Sequence, residues 1–112
     1  MIYHITTLND WQNAQHAGGY RPPAFESEGF IHCSYAEQVA RTARHYFAGQ
    51  TGLALLHIDE SKLTAELRAE PGADTPQLFP HLYGPLNLDA VVEVTPLDPS
   101  APTLDGPIDT AV

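Results

Sequence analysis

Histidine is the residue type that gives this chain most of its chemical capacity. The sequence holds 6 His but only 5 Lys plus Arg in 112 residues. An imidazole donates and accepts protons near neutral pH, and it also binds metal ions. His4, His32 and His57 fall within predicted strands, where a polar ring needs a hydrogen-bond partner or a cavity. Together with His81, they predict a shared pocket; the alternative is that each ring bonds separately to the backbone.

Three of these histidines have aromatic neighbours that predict a cleft for a small, planar ligand. Aromatic rings supply stacking faces, and histidines supply the polar contacts. We expect His4 to hydrogen-bond a ligand hydroxyl, and His81 to act as a donor or general acid. His32 and Tyr83 would position the ligand, and Gly84 would fix the turn of a loop after His81. The catalytic candidates are His4, His32 and His81, and the ligand-binding candidates are Tyr3, Phe30, Ser34, Tyr83 and Gly84.

Metal and thiol chemistry are the other uses of such residues. His57 and Asp59 lie on one side of a predicted strand, which is a spacing that two metal ligands can use. No HExxH motif or paired-cysteine spacing accompanies them, so we assign no metal ligands. Cys33 follows His32 directly and would face the opposite side of its strand, as a small core residue does. A metal-dependent enzyme stays a third alternative.

Charge and composition narrow the classes of partner. The chain has 14 Asp plus Glu and a net charge of −9. Binding of nucleic acid or of an anionic membrane needs a cationic face, so neither partner is expected. The single cysteine excludes a disulfide framework, and no signal peptide or apolar run of ~20 residues is evident. These features predict a cytoplasmic protein, and they leave its oligomeric state open.

Two helices are predicted to position the candidate residues. The first covers Trp11–Ala17 and ends at Gly18 and Gly19, where a positive φ costs little. The second follows a capping box in which Ser34 is the N-cap and Glu37 reaches back to it. Ser34 is therefore explained as a cap as well as a ligand candidate.

The remaining regular structure is predicted to be strand. The alternating and continuous apolar patterns predict strands at Ile2–Thr6, Gly29–Cys33, Leu53–Ile58, Leu63–Glu70 and Ala90–Thr95. Their prolines and turn residues make Pro71–Gln77 a predicted loop and Phe79–Pro85 a predicted turn-rich segment. The order of elements predicts an α+β fold with an antiparallel sheet.

The chain is predicted to form one domain with a tail. Residues 1–95 hold all the predicted elements, whereas residues 96–112 are rich in Pro and Asp and contain no Lys, Arg or aromatic residue. Such a segment buries too little apolar area to fold alone. We expect a flexible or strap-like tail, whose removal after Thr95 would leave the melting temperature nearly unchanged.

Three segments, in order, resemble the bacterial and plant family catalogued as domain of unknown function 952. They are Tyr3-His4-Ile5-Thr6, Gly29-Phe30-Ile31-His32-Cys33-Ser34 and Phe79-Pro80-His81-Leu82-Tyr83-Gly84-Pro85-Leu86. The resemblance covers about residues 1–95. It implies a compact relative of the ADP-ribosyltransferase fold, in which two small, split antiparallel sheets with two packed helices form a cleft for NAD.

The same resemblance implies roles for some residues. His4 matches a first-strand residue that touches the ribose of NAD, and the segment around His32 and Ser34 is similar to a second conserved strand. An acidic residue near the last strand would be Glu93, which lies between Val92 and Val94 and is then expected to face solvent. The implied ligand is NAD or ADP-ribose, and the implied activity is an ADP-ribosyl-type transferase or hydrolase. The alternative is a non-catalytic binding or interaction module with the same fold.

Overall fold

The computed structural model describes residues 1–100, and residues 101–112 lie outside that part. Its helices and strands are β1 (Ile2–Thr7), α1 (Leu8–Ala17), α2 (Pro23–Glu28), β2 (Ile31–His32), α3 (Val39–Tyr46), β3 (Leu53–Ile58), β4 (Glu66–Gly72), β5 (Thr75–Tyr83) and β6 (Val91–Leu97). The expected α+β class with two small antiparallel sheets is confirmed. No helix within residues 1–100 is long and apolar enough to cross a membrane.

The first sheet has the strand order β1-β3-β6, with all neighbours antiparallel. All six residues of β3 are buried, which agrees with the continuous apolar run at Leu53–Ile58. One face of this sheet packs with α1 and the second sheet, and the other packs against Val39 and Ala43 of α3. The central strand is therefore covered on both sides, and β1 stays at an edge where it can border a cleft.

The second sheet has the strand order β2-β5-β4 and corrects two predicted loops. Residues 71–77 contain the turn of the β4–β5 hairpin, and β5 (Thr75–Tyr83) is the central strand of this sheet. Ile31 and Leu82 are paired and face the core, whereas the paired His32 and His81 lie on the opposite face. The aromatic and histidine-rich segment is thus a strand, not a loop.

Pro80 explains why this central strand was not predicted. A proline has no backbone N–H and usually excludes a central strand. Here the Cys33 N–H donates to the Pro80 carbonyl at 2.9 Å, and Pro80 has no N–H to return. β2 therefore ends at His32, one residue before the predicted end of the strand at Cys33. Gly29 instead ends α2 with φ of 83°.

A third helix, α2, was not predicted, and it begins at a pair of prolines, Pro22 and Pro23. Pro23 is the first helical residue, where the missing N–H would have had no partner within the helix. The prolines therefore begin a helix here. The expected number of two helices was wrong for this reason.

The predicted capping box at Ser34 was also wrong, by one residue. The backbone of Ser34 is paired with Tyr3 of β1, so Ser34 belongs to an extended segment. The cap is formed by Gln38, whose Oε1 accepts from the Tyr35 N–H at 2.9 Å. A short 3₁₀ turn at Ala36–Gln38 then leads into α3.

The last strand runs two residues past the predicted boundary. β6 covers Val91–Leu97, with Leu97 paired to Leu53 and buried in the core against α3. Pro99 is buried too. The segment 96–100 is therefore part of the folded body, and the predicted tail character of residues 101–112 falls outside the described residues.

Candidate functional site

A backbone bridge between Tyr3 and Ser34 links the two sheets. The Tyr3 N–H donates to the Ser34 carbonyl at 2.8 Å, and the Ser34 N–H donates to the Tyr3 carbonyl at 2.7 Å. This bridge sets the edge strand β1 beside the segment that continues β2. His4 and His32 are thereby brought close together, although they are 28 residues apart.

A cavity of about 420 Å³ lies at this junction. This volume falls within the range of small-molecule sites. Its walls come from β1, from the end of α2, from β2 and β5, from α3 and from the β4–β5 turn. The lining residues are Tyr3, His4, Ile5, Glu28, Phe30, His32, Ser34, Thr42, Tyr46, Phe47, Pro71, Ala73 and His81.

A second cavity of about 350 Å³ adjoins the first. The two share part of their lining, including His4, Glu28, Phe30 and His32. The described structure therefore offers a cleft with two lobes, and these shared residues stand between them.

Glu70, His81 and His32 form a chain of hydrogen bonds beside the cavity, which we call the relay. His81 Nδ1 lies 2.9 Å from Glu70 Oε1, and His81 Nε2 lies 3.2 Å from His32 Nδ1. The Tyr83 hydroxyl donates to the same Glu70 oxygen at 2.6 Å. These bonds hold the pKa of Glu70 below its usual range, with the Tyr83 bond as the largest cause. Glu70 is therefore a carboxylate that accepts from His81.

His32 Nε2 is a buried ring nitrogen without a hydrogen-bond partner in the described part of the chain. Leaving such a group unsatisfied costs about 1–3 kcal/mol. Burial, followed by the neighbouring His81 and His4, lowers the pKa of His32 to about 4, so the ring is neutral at pH 7. His32 thus carries an unused polar atom on a ring that lines the cavity.

Both ring nitrogens of His4 are already occupied. Nδ1 lies 2.7 Å from the His32 carbonyl, and since a carbonyl only accepts, Nδ1 donates. Nε2 lies 2.8 Å from the Tyr20 hydroxyl, which is also 2.9 Å from Thr6 Oγ1. Burial lowers the pKa of His4 to about 4. His4 therefore positions the backbone of His32 and leaves no free nitrogen for the ligand hydroxyl that we expected it to bind.

Phe30 supplies an aromatic surface at the cavity. Its ring stacks on His81 with centroids 4.1 Å apart and an interplanar angle of 15°. The stack covers the relay on one side, and Phe30 is only partly buried. Phe30 therefore lines both lobes while one face of its ring is engaged with His81.

The structure gathers six of the eight predicted site residues around the cavity and places two outside it. The lining includes Tyr3, His4, Phe30, His32, Ser34 and His81. Tyr83 is absent from the lining and instead donates a hydrogen bond to Glu70. Gly84 lies against Ala65, whose Cβ would be 2.6 Å from a Cβ at Gly84, so this glycine permits close packing. Ser34 Oγ is engaged with Thr42 Oγ1 at 3.3 Å.

His57 does not join the other histidines. Its Nε2 lies 2.9 Å from Thr95 Oγ1, and its ring meets Tyr3 edge-on. Within residues 1–100, no group of His, Cys, Asp and Glu side chains is arranged to hold a metal ion. The thiol chemistry is disfavoured as well, because burial raises the pKa of Cys33 to about 12.

Two carboxylates near the cavity were missed in the sequence. Glu70 ends the predicted strand Leu63–Glu70 and was not among the site candidates, yet it lies on the side of β4 on which His81 and Tyr83 of β5 lie. Only the pairing of β4 with β5 reveals this, since it places Glu70 next to His81. Glu28 lines both lobes at the end of α2, a helix that was not predicted. Glu93 is exposed on β6 and is absent from the lining.

Comparison with known proteins places the chain in a family. The chain is similar to protein CC0527 from Caulobacter crescentus, with 35% sequence identity to its crystal structure. The alignment covers 87% of this chain and 85% of CC0527, and its TM-score is 0.79. The solution NMR structure of CC0527 gives a TM-score of 0.74 at 35% identity, with 87% and 84% covered. No curated protein is significantly similar. The family model described as "Protein of unknown function (DUF952)" matches residues 5–94, and the chain therefore belongs to the DUF952 family.

Proposed function

We propose that the two-lobed cleft binds a small ligand with a planar, nucleoside-like part. The observation that carries this proposal is the buried Nε2 without a partner on His32, a residue that lines a cavity of about 420 Å³. Phe30 provides a stacking face beside it. A ligand atom that bonds to His32 would remove the cost of the unsatisfied nitrogen.

The charge of the lining favours the nucleoside part over the phosphates. The lining residues, all within the described chain, include Glu28 and Asp10 but no Lys or Arg. Pyrophosphate binding uses cations or well-placed amide donors. We therefore expect nucleosides to bind at least as well as NAD or ADP-ribose, the ligands that the resemblance to ADP-ribosyltransferases implies.

The finer form of the proposal is ADP-ribosyl-type transfer or hydrolysis. Breaking the bond between nicotinamide and ribose builds positive charge on the ribose, and a nearby carboxylate stabilises it. Glu28 is the carboxylate that lines both lobes and that we assign to this purpose, whereas Asp10 lines only the second lobe. A non-catalytic binding module would use the same cleft without this step.

Titration of the ¹⁵N-labelled protein with adenosine, nicotinamide riboside, ADP-ribose and NAD tests the proposal. We expect at least one nucleoside to shift the resonances of Phe30 and His32, and Phe30→Leu to weaken binding about tenfold through lost stacking. Leu78→Ala, at an exposed position outside the lining, is the control and should bind normally. If no probe perturbs the cavity, the proposal is wrong. Release of nicotinamide from NAD by the protein, and its loss in Glu28→Gln, would support the enzymatic form.

A further inference from the structure

The relay permits only one arrangement of protons while its rings are neutral. Glu70 is a carboxylate, which only accepts, so His81 must donate from Nδ1. A neutral His81 then has a bare Nε2, and this atom must accept from His32 Nδ1. His32 in turn carries its proton on Nδ1. Its Nε2 is left as a bare acceptor.

We infer that the cavity selects ligands that donate a hydrogen bond, through an N–H or O–H group, to His32 Nε2. The inference rests on the proposed function and names the chemical class of its ligand. Primary amides and sugar hydroxyls belong to this class, whereas esters and N,N-dimethylated amides do not, because they carry no N–H or O–H. A group that only accepts would face a second acceptor and would leave both unsatisfied.

Glu70 is therefore a positioning residue, because it acts through His81. Two donors, His81 Nδ1 and the Tyr83 hydroxyl, converge on its Oε1. Both bonds stabilise the carboxylate form. The fixed orientation of His32 thus originates on β4, at a residue that does not line the cavity.

The backbone holds the other end of the relay in place. His4 Nδ1 donates to the carbonyl of His32, and the His32 ring is in contact with the rings of Phe79 and His81. The His32 side chain is partly exposed, while its Nε2 is covered. A ligand therefore reaches this atom only when the ring or its neighbours move.

The tautomers of the histidines test the inference without any ligand. Long-range ¹H–¹⁵N correlation spectra at mildly alkaline pH distinguish a protonated ring nitrogen from a bare one. We expect His32 and His81 both to carry the proton on Nδ1. Glu70→Gln should introduce an Nε2-protonated population in both rings, because an amide can donate as well as accept. Glu66→Gln, on the same face of β4 but paired with Arg68, is the matched control and should leave both tautomers unchanged.

Two results would overturn the inference. One is a wild-type His32 protonated at Nε2, which would make the cavity a donor site. The other is a Glu70→Gln variant whose tautomers match those of Glu66→Gln.

A pair of probes separates this inference from the proposed function. Nicotinamide and methyl nicotinate have the same ring, but only the amide donates a hydrogen bond. We expect methyl nicotinate to bind about tenfold more weakly, which corresponds to one buried hydrogen bond. Equal binding of the two would contradict the donor selectivity while supporting a cavity for planar ligands. Failure of every probe would count against the proposed function, and the tautomer measurement would still decide the orientation of His32.

Discussion

His4 links the chemistry of the cavity to the stability of the fold. Its ring is held between a backbone carbonyl and the Tyr20 hydroxyl, and burial lowers its pKa to about 4. Burial also raises the pKa of Tyr20 to about 12, so this hydroxyl stays protonated. The first strand therefore contributes a neutral, fully bonded ring to the site, which is a structural role that the residue type alone does not predict.

The depressed pKa of His4 predicts that the protein loses stability in mild acid. The unfolded ring has a pKa near 6.5, so between that value and about 4 the unfolded state binds more protons than the folded state. The contribution is complete above ~6.5, and as the pH falls towards ~4 we expect the free energy of unfolding to drop by about 3 kcal/mol through His4. Urea denaturation across this range measures the slope.

Substitutions distinguish the contribution of His4 to this pH dependence from the contributions of the other histidines. His4→Asn should flatten the pH dependence, with a remaining part from His32, whose pKa is also lowered. His16→Asn, on the exposed side of α1, should leave the slope unchanged. An unaltered slope in His4→Asn would show that this ring is not the group that titrates.

At the scale of elements, Gln38 connects α3 to the second sheet. Its Oε1 accepts from the Tyr35 N–H at 2.9 Å, and its Nε2 donates to the Leu78 carbonyl at 2.7 Å. Gln38 is buried, so both backbone groups would lose their partner if it were truncated. The segment that precedes α3 is therefore fixed against β5, beside Phe79 and the relay.

We expect Gln38→Ala to cost about 2–4 kcal/mol of stability, because two backbone groups are left without a partner. Glu37→Ala changes the exposed neighbour and should stay within about 0.5 kcal/mol. Thermal or chemical unfolding of the two variants provides the comparison. If both substitutions changed the free energy of unfolding only slightly, Gln38 would not be the cap, and Ser34, the cap predicted from the sequence, would be the next residue to test.

The sequence predicts elements well where one local pattern dominates, and less well where pairing decides. The apolar run at Leu53–Ile58 and the stop at Gly18 are local signals, and both are confirmed. β5 depends on its partners: Pro80 is tolerated only because pairing with β2 ends beside it. The position of Glu70 depends on the same pairing. Three histidines were expected in one site, but the carboxylate that orients two of them could not be recognised before β4 and β5 were paired.

At the scale of the whole molecule, the boundary of the folded body lies beyond the predicted one. Leu97 is 6% exposed and packs in the core formed with α3, while Pro96 and Leu97 extend the pairing of β6 with β3. The expected tail therefore contains a structural part, residues 96–100. Composition does not predict this part, because the two buried residues, Leu97 and Pro99, stand in a segment whose overall composition is typical of a tail.

Two truncations measure this difference. Removal of residues 96–112 should cost ~2 kcal/mol more than removal of residues 101–112, mainly through the lost burial of Leu97, or about 10 °C in Tm. Composition alone predicts a nearly unchanged Tm after truncation at Thr95, whereas the burial of Leu97 predicts a loss. Equal melting temperatures for the two truncated proteins would show that the folded body ends at Thr95.

The order of the strands also determines when the cleft can form as the chain folds. The β4–β5 hairpin closes within residues 66–83, whereas β1 pairs with β3 more than 40 residues away, as in Ile2 with Ile58. Local hairpins form in microseconds, and distant pairings wait for the slower closure of long loops. We expect pulse-labelled hydrogen exchange to protect the amides of β4 and β5 before those of β1. Glu70 and His81 would then meet early, and His4 would complete the wall of the cavity last, so a ligand would act mainly by slowing unfolding.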